Sequence, residues 1–258
     1  MTRADRGRWW RFALLTAITA LVLVPVVSPV VIAAQRSAPF GGLLPALAGV
    51  FMNPEAATWF GNSLAVAGAT VLAAVALGTP AGYVLSRVAG RRVDAFALVV
   101  FAMQALPTVL LIVPLFVLFA PLGLVDDLGG LVLLYVGLTI AVATWTMTTA
   151  VDAVPVSLEE AAWLDGCSLF GGFVRVVLPN VAPGVLATAI VTFLFVWNEY
   201  LVALVFLPSE GNWTVGIGVV SGRIGAFAVA AMIPPLVVFA VLHRFFRFGG
   251  VAGALADR

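Results

Sequence analysis

Residues 157–179 read SLEEAAWLDGCSLFGGFVRVVLP, and the interpretation of the whole chain starts from this stretch. It is the longest segment that is neither membrane-like nor of low complexity. Apolar runs long enough to cross a bilayer flank it on both sides. The pattern predicts two short helices joined by a glycine turn, on a loop between two membrane spans.

The start of the first short helix is predicted from its polar residues. Pro155 ends whatever precedes it, because proline donates no main-chain hydrogen bond and disfavours a helical residue before it. Ser157 followed by Glu160 matches a capping box, in which each side chain accepts from the other's backbone N–H. Glu159 and Glu160 also place negative charge in the first turn, where the helix dipole favours it.

One face of this helix is predicted to accept another backbone at close range. Leu158, Ala161, Ala162 and Asp165 recur at the spacing that puts residues on one side of a helix. The two adjacent alanines make that face shallow. Gly166 then stands where a helix commonly ends in a left-handed residue.

The second short helix is predicted to begin after Ser168, whose hydroxyl can cap it. Leu178 and Pro179 are expected to stop it, because proline cannot continue a helix. Cys167 lies between the two helices and is the single cysteine of the chain, so an internal disulfide framework is excluded.

The spacing within this stretch resembles the EAA motif of permease subunits from bacterial ABC importers. Glu160-Ala161-Ala162 is followed by Gly166, by Val176 where the family usually has isoleucine, and by Leu178-Pro179. The resemblance implies a coupling helix that docks into a cleft on an ATP-hydrolysing subunit. The alternative is an ordinary amphipathic cytoplasmic hairpin.

Short matches elsewhere resemble the smaller permease subunit of sugar importers, of the maltose G type. They are, in chain order, Asn62-Ser63-Leu64, Tyr83 to Arg87, Leu106-Pro107, Pro114-Leu115, Leu122-Gly123-Leu124 and Trp197-Asn198-Glu199. The tail keeps only part of the family's usual ending, at residues 253–256. The resemblance therefore does not predict whether the tail contacts the ATPase.

The resemblance implies a type I (MetI-like) importer permease fold. It also implies a second permease as heterodimer partner, two ATP-binding subunits and an extracytoplasmic binding protein. The solute it implies is a sugar or oligosaccharide. Alternatives are a permease for another solute, such as glycerol phosphate or a polyamine, and an ATP-independent secondary transporter.

Composition independently indicates a polytopic membrane protein. The chain has 258 residues, of which 63% are hydrophobic and 10% charged, and its mean hydropathy is +1.15. Soluble domains are about 45–50% apolar and about 25% charged. The long continuous apolar runs favour an all-α transmembrane bundle in contact with membrane lipid.

Six spans are predicted from the apolar runs, with residues 1–11 as a terminal segment and 12–258 as the membrane domain. A signal peptide is the alternative for the first run, although its apolar core would be shorter. The polar connection at 151–181 holds the coupling loop. The predicted spans are Phe12–Ala34, Asn62–Leu85, Asp94–Ala120, Leu128–Ala150, Ala182–Leu207 and Ile224–Leu242.

Arginine distribution predicts the orientation. With six spans, eleven of the thirteen basic residues lie on the side of the termini and the 151–181 loop, and Arg36 and Arg223 lie on the other. The positive-inside rule therefore places both termini and the loop in the cytoplasm, with the chain in the cell membrane.

Polar residues near the spans are candidates for a translocation path. Glu199 lies in the fifth apolar run beside Asn198, and it either lines the path, bonds across a subunit interface or sits at headgroup level. Asn62 and Ser63 either face solute or cap a helix. Asp152 is expected to pair with an arginine or to cap the loop.

The sequence holds no candidate for catalysis or cofactor binding. No His, Cys and Asp cluster has metal-ligand spacing, and the single histidine, His243, is interpreted as a surface residue. No glycine-rich phosphate loop is present, and the chain contains no lysine to complete one. The chain therefore has no phosphate loop of its own, and the resemblance assigns ATP and magnesium to the partner ATPase. The net charge of +1 gives no indication of a nucleic-acid partner.

Overall fold

The computed structural model describes residues 3–37, 41–222 and 226–246, and this part of the chain is helical without strands. Three predictions depend on residues outside it. They are the orientation (Arg223), the start of the sixth span (Ile224) and the tail comparison (residues 253–256). The helices are α1 (Arg3–Ser37), α2 (Leu43–Met52), α3 (Pro54–Arg87), α4 (Arg91–Gln104), α5 (Thr108–Phe119), α6 (Leu128–Asp152), α7 (Val156–Leu164), α8 (Leu169–Gly172), α9 (Leu178–Asn180), α10 (Ala182–Asn198), α11 (Leu201–Phe206), α12 (Val215–Ser221), α13 (Phe227–Ala231) and α14 (Ile233–Phe246).

The centre of the fold is the pair α3 and α6, with α10 packed against both. Gly78 and Gly82 of α3 lie directly against Ala143 and Met147 of α6. Small residues at such contacts let two membrane helices approach closely enough for backbone and side-chain packing. Within the described residues, α3 and α6 are the two unbroken helices long and apolar enough to cross a membrane.

The six predicted spans are confirmed only in part. By length and composition, the described residues hold two spans, or up to five if each bent helix pair counts as one. Apolarity predicts where the chain can enter lipid, but it does not report where the backbone bends. The bent pairs are Trp9–Val24 with Val27–Ser37 (48°), Arg91–Gln104 with Thr108–Leu122 (102°), and Leu169–Asn180 with Ala182–Asn198 (70°).

The sharpest bend divides the predicted third span. α4 ends at Gln104, and α5 starts after Pro107, whose backbone is extended (φ −61°, ψ 123°). Proline lacks the N–H that would continue the helix. Pro114, by contrast, lies inside α5 without ending it.

The predicted start of the second span is eight residues too late. α3 begins at Pro54, and the side chain of Asn53 accepts hydrogen bonds from the backbone N–H groups of Glu55 (2.8 Å) and Ala56 (3.2 Å). Asparagine at the cap and proline at the first helical position are a common start for a helix. The extra turns carry Trp59 and Phe60, which pack edge-on against Phe227.

Three further differences from the predicted spans lie in the C-terminal third. The predicted polar loop at 208–222 contains the helix α12. The predicted fifth span is broken at Glu199 and Tyr200, between α10 and α11. In the region of the sixth span, α13 and α14 are separated at Met232.

Candidate functional site

The first helix of the 157–179 segment is α7, and it begins at Val156 with Pro155 at its N-cap. The predicted capping box is wrong, because no side chain caps this terminus and Ser157 is an exposed residue of the first turn. The extended backbone of Pro155 (φ −58°, ψ 129°) starts the helix two residues earlier than a Ser157 cap would. Glu160 is exposed.

The C-terminus of α7 confirms the predicted glycine turn. Gly166 has φ +88°, in the left-handed region. Its N–H donates to the carbonyl of Trp163 (3.0 Å), and the N–H of Cys167 donates to the carbonyl of Ala162 (2.9 Å). This pair of bonds is a Schellman motif, which satisfies carbonyls that a helix end leaves unpaired.

The structure places most of the predicted docking face at the surface. Leu158, Ala161 and Asp165 are exposed, and Ala162 is half-buried. Leu164 is 90% exposed. Large apolar side chains grouped at a surface indicate a contact with another protein or with lipid.

Ser168 caps the second short helix as predicted, since its hydroxyl oxygen accepts from the N–H of Gly171 (3.1 Å). From there the chain passes over Gly172, where a Cβ would lie only 3.0 Å from Nε1 of Trp163. A glycine at this point lets the second helix pass close to the Trp163 side chain of α7.

The predicted stop at Leu178 and Pro179 is wrong. The chain continues from α8 through a π-helical turn at Phe173–Val177 into α9, and it bends by 70° only around Val181. Pro179 removes one main-chain donor, and a wider π turn directly before it is a known way to accommodate such a loss within a helix.

The base of the segment is fixed by apolar packing. The ring of Phe173 lies 4.9 Å from the ring of Tyr83 at the end of α3. The segment therefore rests on the ends of both central helices. The buried cluster that holds it there consists of Met147, Val151, Val154, Val177 and Val181.

A buried ion pair, which the sequence did not predict, links α7 to α3. Nε of Arg87 donates to Oε1 of Glu159 at 2.7 Å, and the hydroxyl of Tyr83 donates to Oε2 at 2.7 Å. The Glu159 side chain is 1% exposed. The i, i+4 spacing of Tyr83 and Arg87 indicates one helix face, but nothing in the sequence shows that Glu159 rather than Glu160 turns inward.

The same arginine holds the end of α6. Nη2 of Arg87 donates to the carbonyls of Val151 (3.0 Å) and Val154 (2.7 Å), and Nη1 donates to the hydroxyl oxygen of Ser86 (3.0 Å). Ser86 in turn donates to Asp152. Asp152 thus accepts from a serine, where an arginine partner or a loop cap was predicted.

A second polar group lies at the opposite end of α3. Nδ2 of Asn62 donates to the carbonyls of Gly211 (2.9 Å) and Trp213 (2.9 Å), and the hydroxyl of Ser63 accepts from the N–H of Val215 (2.8 Å). The predicted helix cap is wrong, because α3 is capped nine residues earlier by Asn53. Both side chains instead anchor the 211–215 segment.

We expect Asn62→Ala to lower the free energy of unfolding by about 1–3 kcal/mol, because two carbonyls lose their donor. Asn62→Asp is expected to cost more, since a carboxylate would face the same two carbonyl oxygens. Thermal unfolding of the purified protein in detergent measures both. Asn180→Ala, which removes one local bond on an exposed residue, is the control, and equal stability of all three variants would contradict the anchoring role.

The adjoining turn is held by Asp126, a non-glycine residue with φ +60°. Its carboxylate accepts from the N–H (3.1 Å) and the hydroxyl of Ser209, and its carbonyl accepts from Nδ2 of Asn212 (2.6 Å). The hydrogen bond from the Ser209 hydroxyl is the main cause of the lowered pKa of Asp126. These bonds stabilise the fold above the ordinary carboxyl pKa and weaken as the pH falls through the lowered value.

Glu199 closes the break in the predicted fifth span. Its Oε2 accepts from the hydroxyl of Tyr135 (2.6 Å) and from the N–H of Ala203 (3.2 Å), and its Oε1 accepts from the N–H of Val202 (2.9 Å). The carboxylate therefore satisfies the first N–H groups of α11 and ties the break to α6. These partners all lie within the chain.

Asn198 is exposed and donates to the carbonyl of Leu194 (2.7 Å). Together with Tyr200 and Met232 it lines a mainly apolar cavity of about 460 Å³ between α10, α12, α13 and α14. The four predicted path residues are thus not brought to one place by direct bonds. Asn62 and Ser63 hold the 211–215 segment, Glu199 bonds to Tyr135, and Asn198 faces this cavity.

Among the described residues, no group of three or more His, Cys, Asp or Glu side chains could hold a metal ion. Cys167 is a free, half-buried thiol. The side chain of His243 lies outside the described side chains.

Comparison with known proteins identifies related chains. Residues 78–249 match the family described as binding-protein-dependent transport system inner membrane component. The ABC transporter permease protein ORF1 of Streptomyces antibioticus is 39% identical over 205 residues, which cover 76% of this chain and 90% of that protein. The maltose/maltodextrin transport system permease protein MalG of Vibrio vulnificus is 32% identical over 213 residues, 77% of this chain and 72% of that one.

A similar fold occurs in a crystal structure of a bacterial ABC transporter involved in the import of the acidic polysaccharide alginate. One of its chains superposes with a TM-score of 0.78 at 20% identity, over 95% of this chain and 99% of that chain. At that identity the likeness establishes the fold.

Proposed function

The chain belongs to the family of binding-protein-dependent transport system inner membrane components and has the fold of an ABC importer permease, and from this premise we propose that it forms a solute path together with a second permease subunit. Two ATP-binding subunits on the cytoplasmic side drive the cycle. A binding protein on the outer side delivers the solute. The termini and the 157–179 segment face the cytoplasm, in agreement with the arginine distribution.

The proposed solute is a sugar or oligosaccharide, which is the class named for the maltose/maltodextrin relative. A direct test uses a solute-binding protein that co-purifies with this chain when the neighbouring genes are expressed with it. Its thermal unfolding is measured with maltodextrins, monosaccharides, polyols, glycerol phosphate and polyamines. Stabilisation by saccharides alone supports the proposal, and stabilisation by a polyamine or glycerol phosphate alone contradicts it.

One observation carries the proposed coupling role of the 157–179 segment. α7 is a short helix with an exposed face. The rest of the segment packs on the ends of α3 and α6 through Phe173, Val177 and Val181, and α7 itself bonds to α3 through Glu159. A partner that binds this face would act on a segment that contacts both central helices. ATP and magnesium are assigned to that partner, because the sequence has neither a phosphate loop nor a lysine.

The test of assembly is co-expression with the genes beside this one, followed by purification through a tag on this chain and identification of any ATPase and second permease that co-purify. Contact is measured by cross-linking Ala161→Cys to the ATPase, in a Cys167→Ser background because Cys167 is the one native thiol. Co-purification with cross-linking at Ala161 supports the proposal. Co-purification with cross-linking absent at Ala161 and present elsewhere would overturn the docking role of α7.

We expect Gly166→Val to lower this cross-link about tenfold. A Cβ at Gly166 meets no atom within 4 Å, so the effect comes from φ +88° alone. The left-handed conformation costs an L-residue about 1–2 kcal/mol, and 1.4 kcal/mol corresponds to a factor of ten. Gly166→Asn, which tolerates this conformation better, is the control. Equal yields from the valine and asparagine variants would contradict the requirement for the left-handed turn.

A further inference from the structure

The buried group around Arg87 joins three pieces of chain that the proposed coupling must move together. Its guanidinium contacts the carboxylate of Glu159 on α7, and the carbonyls of Val151 and Val154 at the end of α6. Arg87 itself is the last residue of α3. One side chain of α3 therefore bonds to the end of α6 and to the helix that carries the exposed face.

The backbone connections alone would not make α3 move together with α7. α7 is connected to α6 through the short turn at 153–155, and α3 ends 72 residues before Glu159 in the sequence. A push on α7 can be absorbed by rotation in such a turn. The bonds from Arg87 to Val154 and to Glu159 oppose that rotation, because it would break both.

The ion pair is suited to joining α7 to α3 because its hydrogen bonds fix the position of the Glu159 carboxylate. Both oxygens of Glu159 are used, one by Arg87 and one by Tyr83, and the carboxylate is 1% exposed. Separating the pair would leave a charge unpaired in apolar surroundings, which is costly. A contact between apolar side chains has no such directional requirement.

We propose that Arg87 is a positioning residue that makes α3 move as one body with α7 when the ATPase subunits close. The inference rests on the proposed function. It adds that movement reaches α3 through the Arg87–Glu159 pair, and not through the backbone turn alone.

The experiment uses the full complex with spin labels at Val156→Cys on α7 and Leu72→Cys on α3, in the Cys167→Ser background. Both native side chains are exposed, at 46% and 73%, and Val156 lies outside the predicted docking face. Pulsed electron paramagnetic resonance measures the distance between the labels without nucleotide and after trapping with ATP and vanadate. In the chain that carries only the two label sites and Cys167→Ser, we expect trapping to change the distance between the labels by no more than about 2 Å, the scale of small helix adjustments.

The informative variant is Arg87→Met combined with Glu159→Met, which removes both charges and leaves none buried alone. We expect trapping to shift its label distance by about 5 Å, one helical turn, because α7 then moves without α3. Arg91→Met, at an exposed arginine of α4, is the control and should behave like the unchanged chain.

An unchanged distance in the double variant overturns the inference, because α3 then follows α7 without the pair. Failure of the double variant to assemble, with the Arg91→Met variant assembling normally, also overturns it, because the group would then be needed for folding. If the unchanged chain does not co-purify with an ATPase, the proposed function fails instead, so the two failures are distinguishable.

Discussion

Gly82→Leu is expected to prevent α3 and α6 from packing, with a loss of at least about 3 kcal/mol, at or beyond the upper end of the usual overpacking cost. A Cβ at Gly82 would lie 2.7 Å from Cβ of Met147 and 2.7 Å from the backbone nitrogen of Thr148. A backbone atom cannot rotate away as a side chain can. The two helices would have to separate, and the central contact of the fold would be lost.

Size-exclusion chromatography and thermal unfolding of the purified protein measure this effect. Gly68→Leu is the matched control on the same helix, because a Cβ there meets no atom within 4 Å and the residue is exposed. We expect the Gly68 variant to elute and unfold like the unchanged chain. A Gly82→Leu variant that does the same would show that α3 and α6 do not pack as described.

The position of Gly82 also matters for the cytoplasmic end of α3. Arg87 lies five residues further on, so a displacement of α3 at Gly82 would pull the guanidinium away from Glu159. The close approach of the two helices and the buried ion pair are therefore parts of one arrangement. Gly82 lets α3 lie close to α6, and at that distance the Arg87 side chain reaches the carbonyls at the end of α6.

Features that depend on neighbouring residues could be predicted from the sequence. The left-handed turn at Gly166 and the cap at Ser168 follow from side-chain chemistry within a few positions, and both are confirmed. The fourth span was predicted as Leu128–Ala150, and α6 is Leu128–Asp152. Its uninterrupted apolar run contains no proline, so composition alone gave nearly the right bounds.

Features that depend on distant residues could not be predicted. Asn62 bonds to a segment about 150 positions away, and Glu159 meets a partner 72 positions earlier. Neither distance leaves a periodic signal in one sequence. The capping box at Ser157 failed for a local reason, because the extended backbone of Pro155 starts α7 before the serine.

The break at Glu199 shows how a single acidic residue within an apolar run can serve the backbone. A helix interrupted inside a membrane leaves N–H groups without partners, and lipid offers them none. The carboxylate of Glu199 accepts hydrogen bonds from two of these N–H groups at the start of α11. It also accepts a hydrogen bond from the hydroxyl of Tyr135. An acidic side chain supplies several acceptor sites from one position, which an alanine or leucine cannot.

Glu199→Ala is therefore expected to lower the free energy of unfolding by at least about 3 kcal/mol, because three donors lose their acceptor and each unpaired buried group costs about 1–3 kcal/mol. Tyr135 is 1% exposed, so water cannot replace the lost partner of its hydroxyl. Asn198→Ala, next in the chain but exposed, should change stability by no more than about 0.5 kcal/mol.

A double-mutant cycle separates the role of Glu199 within the chain from a role toward solute or a second subunit. Tyr135→Phe and Glu199→Gln are measured singly and together by thermal unfolding of the chain purified alone. Groups in direct contact give a combined loss that differs from the sum of the single losses by about 0.5–3 kcal/mol. Additive losses, or a Glu199→Ala variant as stable as Asn198→Ala, would show that the carboxylate does not hold the break together. A coupled loss in the isolated chain would mean that Glu199 closes the break between α10 and α11 before any partner binds.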